Sequence, residues 1–144
     1  MSGARVEAES AAWPKQARVP LEAPFIDARG AIQPLVEADM KSALLISSAA
    51  GTVRANHYHK SDWHYCYVVS GAIEYFHRTV GSTAPPQREI FRAGELFFTP
   101  PLVEHAMRFS EDTVFLTLSR NARDQAAYED DLVRVQLVDP AGAA

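Results

Sequence analysis

Four of the five histidines fall where their side chains could act together. Three lie in one octapeptide, His57-Tyr58-His59-Lys60-Ser61-Asp62-Trp63-His64, and a fourth, His105, follows about forty residues later. Neutral imidazole is a ligand for zinc, copper, iron, manganese and nickel alike, with geometry and availability selecting among them. Three or four such ligands leave open positions on a five- or six-coordinate ion, and an open position is what metal catalysis requires. The expectation is a divalent transition metal held by His57, His59, His64 and His105.

These residues need strands to bring them together, and the surrounding sequence supplies them. His57 and His59 are one residue apart, so on a strand both rings point to the same side. His64 opens the next strand after a turn at residues 60–63. His105 opens a later one beyond the break at Pro100-Pro101. Strand signals recur at short intervals: 42–47, 54–59, 65–69, 72–80, 89–92, 96–99, 105–109 and 113–118, punctuated by Gly51, Gly71, Gly94 and the loop 81–87. The apolar run Ala43-Leu44-Leu45-Ile46 reads as a buried strand, and residues 25–32 as a short strand with a turn at Gly30. Only residues 124–132 read as helix, and alternation over 133–138 suggests a final strand. Many short strands and one short helix predict an all-β antiparallel barrel or sandwich.

Composition narrows the function. The 144 residues suit one domain, with 47% apolar and 22% charged residues. Residues 1–20 read as a flexible or edge-adding arm and residues 21–144 as the barrel. A net charge of -4 gives no reason to expect nucleic acid or an anionic membrane as partner. No apolar run is long enough to span a bilayer, and residues 1–10 lack the apolar stretch of a signal peptide. The lone Cys66 forms no internal disulfide, consistent with a reducing cytoplasmic compartment. A small-molecule substrate is the expected partner.

Two motifs carry a family resemblance. Over residues 51–71 the chain reads glycine, five residues, His57-x-His59, four residues, His64, six residues, Gly71. Over residues 94–109 it reads Gly94, five residues, Pro100-x-Leu102, two residues, His105, three residues, Phe109. Both closely resemble the signatures of the cupin superfamily. The resemblance implies a double-stranded β-helix, or jelly-roll, barrel and metal ligands at His57, His59 and His105. Three positions depart from the pattern: His64 replaces the usual glutamate, Leu102 a glycine and Phe109 an asparagine. Imidazole in place of carboxylate raises the charge of the site by about one and removes a neighbouring base. Four-histidine cupins exist, so a metal remains compatible with the change.

A second likeness points elsewhere. Phe25-Ile26-Asp27-Ala28-Arg29-Gly30 and Arg54-x-x-His57-x-His59-Lys60 resemble segments of cupin-type nucleotide-sugar epimerases and ketoisomerases. Those enzymes generally work without metal, using a histidine as base beside a sugar ketone and often a tyrosine as acid. Two functions follow. One is a metal-dependent enzyme carrying out oxygenation or isomerisation on a small molecule. The other is a metal-free sugar epimerase or ketoisomerase with His57 or His59 as base. A non-catalytic small-molecule-binding cupin is the third reading.

Strand alternation places Cys66 and Val68 on the face of His64, and Met107 and Phe109 on that of His105. Arg54, Cys66, Met107 and Phe109 are therefore candidate substrate-pocket residues, with plain barrel filling the alternative. Arg54 and Lys60 could bind an anionic substrate or serve as solvated surface. Trp63 could stack on a ring or pack on the N-terminal arm. His77 reads as a strand-end surface or partner residue outside the histidine group. Residues 1–40 are expected to close a sheet edge within the subunit or in a partner, which favours a homodimer.

Overall fold

The computed structural model describes residues 9–140. It contains two five-stranded antiparallel sheets and a separate hairpin. The first sheet has the order β1-β9-β6-β11-β4, from β1 (Arg18–Val19), β9 (Leu96–Thr99), β6 (His64–Ser70), β11 (Thr113–Ser119) and β4 (Ser42–Ser48). The second has the order β12-β5-β10-β7-β8, from β12 (Leu132–Arg134), β5 (Val53–His59), β10 (Val103–Arg108), β7 (Ala72–Thr79) and β8 (Gln87–Arg92). This is the jelly-roll arrangement expected from the sequence. The hairpin pairs β2 (Phe25–Asp27) with β3 (Gly30–Ile32).

The inner faces of the two sheets form one core. Cys66, Val68, Phe97 and Phe115 from the first sheet meet Ile73, Tyr75, Phe91 and Met107 from the second, with Phe109 beside them. Period-2 alternation drives this: β6 reads buried, half-buried, buried along His64 to Val68. Gly71 makes the β6–β7 turn possible. Its φ is +87°, and a Cβ there would stand 2.4 Å from the Thr113 hydroxyl oxygen.

Three local expectations change. The run 43–46 is not a buried strand. β4 is a sheet edge paired only to β11, its residues alternate, and Leu45 is 71% exposed. Residues 25–32 form two strands with the turn at Ala28-Arg29, where the Asp27 carboxylate accepts from the Arg29 backbone N–H at 2.9 Å. At the C-terminal end the helix α1 (Gln125–Asp131) is capped by Asp124, which accepts from the Ala127 N–H at 3.0 Å. The strand after it stops at Arg134, because the Asn56 side chain takes the Leu137 and Val138 N–H groups at 3.2 and 2.9 Å.

At the other margin, β1 pairs with the edge of β9, register Arg18 to Phe97. The Arg18 guanidinium donates to Glu95 and to the Ile90 carbonyl and lies over the Phe91 ring. Residues 14–17 are thereby led along the end of the sandwich. No helix among the described residues is long and apolar enough to cross a membrane.

Candidate active site

The histidines meet at one end of the sandwich because a bulge turns β5 into register. His105 on β10 pairs with His57, but the next residue, Ala106, pairs with Ala55, so Asn56 is an extra residue. Ala55 and Asn56 have φ of 69° and 60°, in the left-handed region. The Asn56 side chain is held by three hydrogen bonds to residues 137 and 138, which fixes this backbone. Beyond the bulge, His57 and His59 face inward. Their ring centroids are 4.8 Å apart, and His57 lies 4.7 Å from His105. His64 opens β6 opposite, 5.2 Å from His105 and 5.9 Å from His59.

Hydrogen bonds set the tautomers. The buried His59 places Nδ1 3.1 Å from the Asp131 carboxylate. Burial pushes the Asp131 carboxyl up, but hydrogen bonds from the Ser61 hydroxyl, the Ser61 N–H and the Asp62 N–H outweigh it and hold it below the usual carboxylate range. Asp131 is therefore ionised, His59 Nδ1–H donates to it, and Nε2 carries the lone pair. His105 Nδ1–H donates to the Val103 carbonyl at 3.0 Å, leaving Nε2 a buried acceptor with no hydrogen-bond partner.

Burial also keeps the neighbours neutral. It drives His57 down to about 2, with His105 and His59 adding to the effect, and His105 down to about 3. His64 is lowered well below its ordinary value by burial and then by His105. Burial raises the Asp62 carboxyl above its ordinary range.

A cavity of about 150 Å³ opens onto all four rings. Its walls include Cys66, Met107, Tyr128 and Arg123. Of the expected pocket residues, Arg54, Cys66 and Met107 line it. The Cys66 thiol is pushed up to about 12 by burial, which makes it a small apolar wall rather than a nucleophile. The Arg54 guanidinium is bonded to the Ser48 hydroxyl and the Ser47 carbonyl. Phe109 does not line it. It is fully buried in the core, stacked on Phe115 at 5.7 Å. Trp63 does not line the cavity; it is buried against Tyr65 and Phe98.

Several contributors were not singled out in the sequence. Asp131, Tyr128 and Arg123 come from α1 and the segment before it. Tyr128 packs on His59 with centroids 5.8 Å apart, and the Arg123 guanidinium lies 4.3 Å over the Tyr128 ring. The one local sign was a helix with no apolar stripe, which has to be docked by polar contacts.

The donor set fits a metal ion. One nitrogen from each of His57, His59 and His105 lies within 4.8 Å of the others, and the Nε2 of His105 is buried without a hydrogen-bond partner. The Asp131 contact to His59 is the kind of outer carboxylate that orients a ligating imidazole. His64 stands outside that three-nitrogen group.

The cupin domain family matches residues 44–119, more than half of the chain, and the chain belongs to that family. No curated protein sequence matches it. Among solved structures it resembles QdtA, a 3,4-ketoisomerase from Thermoanaerobacterium thermosaccharolyticum, in a double variant complexed with TDP. The TM-score is 0.67 at 21% identity, covering 85% of this chain and 88% of that one. A 3,4-ketoisomerase from Helicobacter canadensis gives 0.65 at 18% identity, covering 78% and 85% of the two chains. A dTDP-4-dehydrorhamnose 3,5-epimerase from Sulfolobus tokodaii gives 0.60 at 17%, covering 81% and 76%. Likeness at these identities establishes the shared jelly-roll fold.

Proposed function

We propose that the protein moves a proton beside the ketone of a nucleotide-linked sugar, as an epimerase or ketoisomerase, with His59 as the base. The observation that carries this is the His59–Asp131 pair at the wall of the small cavity. The likeness to sugar ketoisomerases and an epimerase supports isomerisation over oxygenation.

In this reading His59 Nε2 takes the proton from the carbon next to the carbonyl. Asp131 stabilises the imidazolium that forms and holds the ring in place. Tyr128 is the candidate acid toward the enolate oxygen, since it lines the cavity against His59. Delivery of that proton to the former carbonyl carbon, while the hydroxyl on the deprotonated carbon returns a proton to the Tyr128 oxygen and becomes the new ketone, is isomerisation. Delivery of a water-derived proton to the opposite face of the same carbon, with the enol O–H returning its proton to Tyr128, is epimerisation. The neutral His105 Nε2 accepts a substrate hydroxyl. The test is deuterium incorporation from heavy water into a TDP-linked 4-keto sugar. Exchange that His59→Asn abolishes and a chelator leaves intact supports the reading. No exchange across keto-sugar nucleotides rejects it.

A second reading rests on the three convergent nitrogens and the orphaned His105 Nε2. His57, His59 and His105 would hold a divalent metal, with His64 as a neighbour. Bound there, the ion would supply Lewis-acid polarisation of a carbonyl oxygen. Metal content of untagged protein, and loss of exchange on chelation, distinguish it from the first. The assembly is read as a homodimer, supported by exposed Phe25, Ile26 and Ile32 on a hairpin that joins neither large sheet. A monomeric mass in solution would reject that.

A further inference from the structure

One segment walls the histidine cavity without being packed into the fold. Residues 122–130 lie between β11 and β12, and Ala122, Arg123 and Tyr128 face the cavity. Every residue from 122 to 130 is exposed except Tyr128, and α1, which makes up most of the segment, buries none. A further cavity of about 220 Å³, bounded by Lys41, Asp124 and Ala127, adjoins it. Ala122 and Tyr128 border both cavities, so the segment stands between two voids.

Its ends, by contrast, are clamped, and by the same turn at residues 60–63. At the leading end the Arg120 N–H donates to the Trp63 carbonyl at 3.1 Å, and the Asn121 N–H to the Asp62 carboxylate at 3.0 Å. The Ser42 hydroxyl donates to the Asn121 carbonyl at 2.8 Å. At the trailing end the Asp131 carbonyl accepts from the Lys60 N–H at 2.9 Å, and its carboxylate from the Ser61 and Asp62 N–H groups. Asp62 thus holds one end by its side chain and the other by its backbone. Between the clamps, two polar or ring contacts tie the segment to the rest of the fold among the described residues. Glu129 pairs with Arg134, both exposed, and such a pair holds weakly. The Tyr128 ring lies against His59, with the Arg123 guanidinium over it.

We infer that residues 122–130 are a lid on the histidine cavity, hinged at the two clamps and latched by Tyr128 on His59. A segment with few buried contacts and voids on both sides opens readily, whereas a close-packed one does not. The trailing clamp is Asp131 itself, so opening leaves the His59–Asp131 pair in place and carries Tyr128 and Arg123 away. Closure returns Tyr128 to the cavity wall and shuts water out. The catalytic use of this motion rests on the function proposed above, but the motion does not.

Cys66 reports on the lid, because it is the one cysteine of the chain, lines the same cavity and is fully buried. The test is the rate at which methyl methanethiosulfonate modifies Cys66, with hydrogen exchange of the segment's amides measured alongside. The labelling rate should be nearly flat in mild urea, because lid opening exposes little surface. Tyr128→Ala should raise it about tenfold and Arg123→Ala about threefold, the worth of a ring contact and of an exposed cation–π contact. Melting and circular dichroism should stay unchanged in both. Tyr128→Phe keeps the ring and should stay within about twofold of the native rate. Amides of residues 125–130 should exchange about 10²-fold faster than those of β6 and β11. A labelling rate that climbs with urea in step with global unfolding overturns the inference. So does a rate that Tyr128→Ala and Arg123→Ala both leave unchanged, or protection of the segment equal to that of β6. If labelling and exchange behave as expected but no keto sugar takes up deuterium, the lid stands and the proposed reaction falls.

Discussion

Two histidine–carboxylate pairs sit in neighbouring cavities of this sandwich, and they are built differently. His59–Asp131 is nearly sealed, with side-chain exposures of 5% and 11%. His77–Glu89 is more open, at 17% and 32%. Asp131 reaches across from α1, fastened by Ser61 and Asp62, so its only described imidazole partner is His59. Glu89 sits one strand from His77 in the ordinary β7–β8 ladder, register Tyr75 to Glu89. The first pair is surrounded by three neutral imidazoles, the second by a stacked tyrosine and prolines. The contrast teaches how one fold holds the same two functional groups dry and fixed in one place and half-open in another, settings suited to proton transfer and to recognition respectively.

The largest expected effect falls on the sealed pair. His59→Asn should lower deuterium exchange by about 10³-fold or more, the range for loss of a general base. An equal loss from His77→Asn would erase the distinction between the pairs. Asp131→Asn should cost about 10²-fold in kcat with KM little changed, because the imidazolium that forms on His59 loses its carboxylate. A loss confined to KM would reduce Asp131 to a structural strut.

Acid should expose the neutral cluster next. His57 and His105 titrate at about 2 and about 3 when folded, below the ordinary histidine value of about 6.5 in the unfolded chain. Between these values the unfolded chain binds more protons. Stability is therefore whole above about pH 6.5 and is lost as pH falls toward about 3. Urea midpoints at about pH 8 and about pH 5 should show this, and His105→Leu should shrink the difference. A midpoint independent of pH would mean the cluster is not held neutral.

The smallest effect concerns the link between the pairs. Leu102 donates its N–H to the His59 carbonyl and accepts from Val80 N–H, joining the end of β5 to the chain just beyond β7. Its φ is 62°, a left-handed conformation that costs a branched residue about 1–2 kcal/mol. Its side chain is largely exposed. Leu102→Gly relieves that cost and adds backbone entropy to the unfolded state, for a net gain of up to about 1 kcal/mol in thermal or denaturant unfolding. A loss of stability instead would show that the leucine side chain, not the backbone, secures the bridge.

Leu102 also shows what could be read in advance. Its departure from the glycine of the cupin pattern was visible in the sequence, whereas the left-handed backbone behind that glycine became visible only in the fold. Likewise, alternation put His57 and His59 on one face, and the motif spacing pointed His105 at them. Alternation alone placed Phe109 in the pocket, yet β10 ends at Arg108 and the ring turns into the core.

By itself the sequence determined an all-β antiparallel barrel or sandwich and the strands that carry the histidines, because period-2 patterning and turn residues act over a few positions. The jelly roll and the convergence of the rings were what the resemblance of its two motifs to the cupin signatures implied. Only the tertiary structure decided which carboxylate each imidazole would meet. Asp131 is 72 residues from His59 and comes from a helix with no apolar stripe to announce its docking. The bulge at Asn56 that aims His57 is stabilised by residues 137 and 138, more than eighty positions away. Contacts of that range depend on register and on how the helix seats, and no local pattern encodes them.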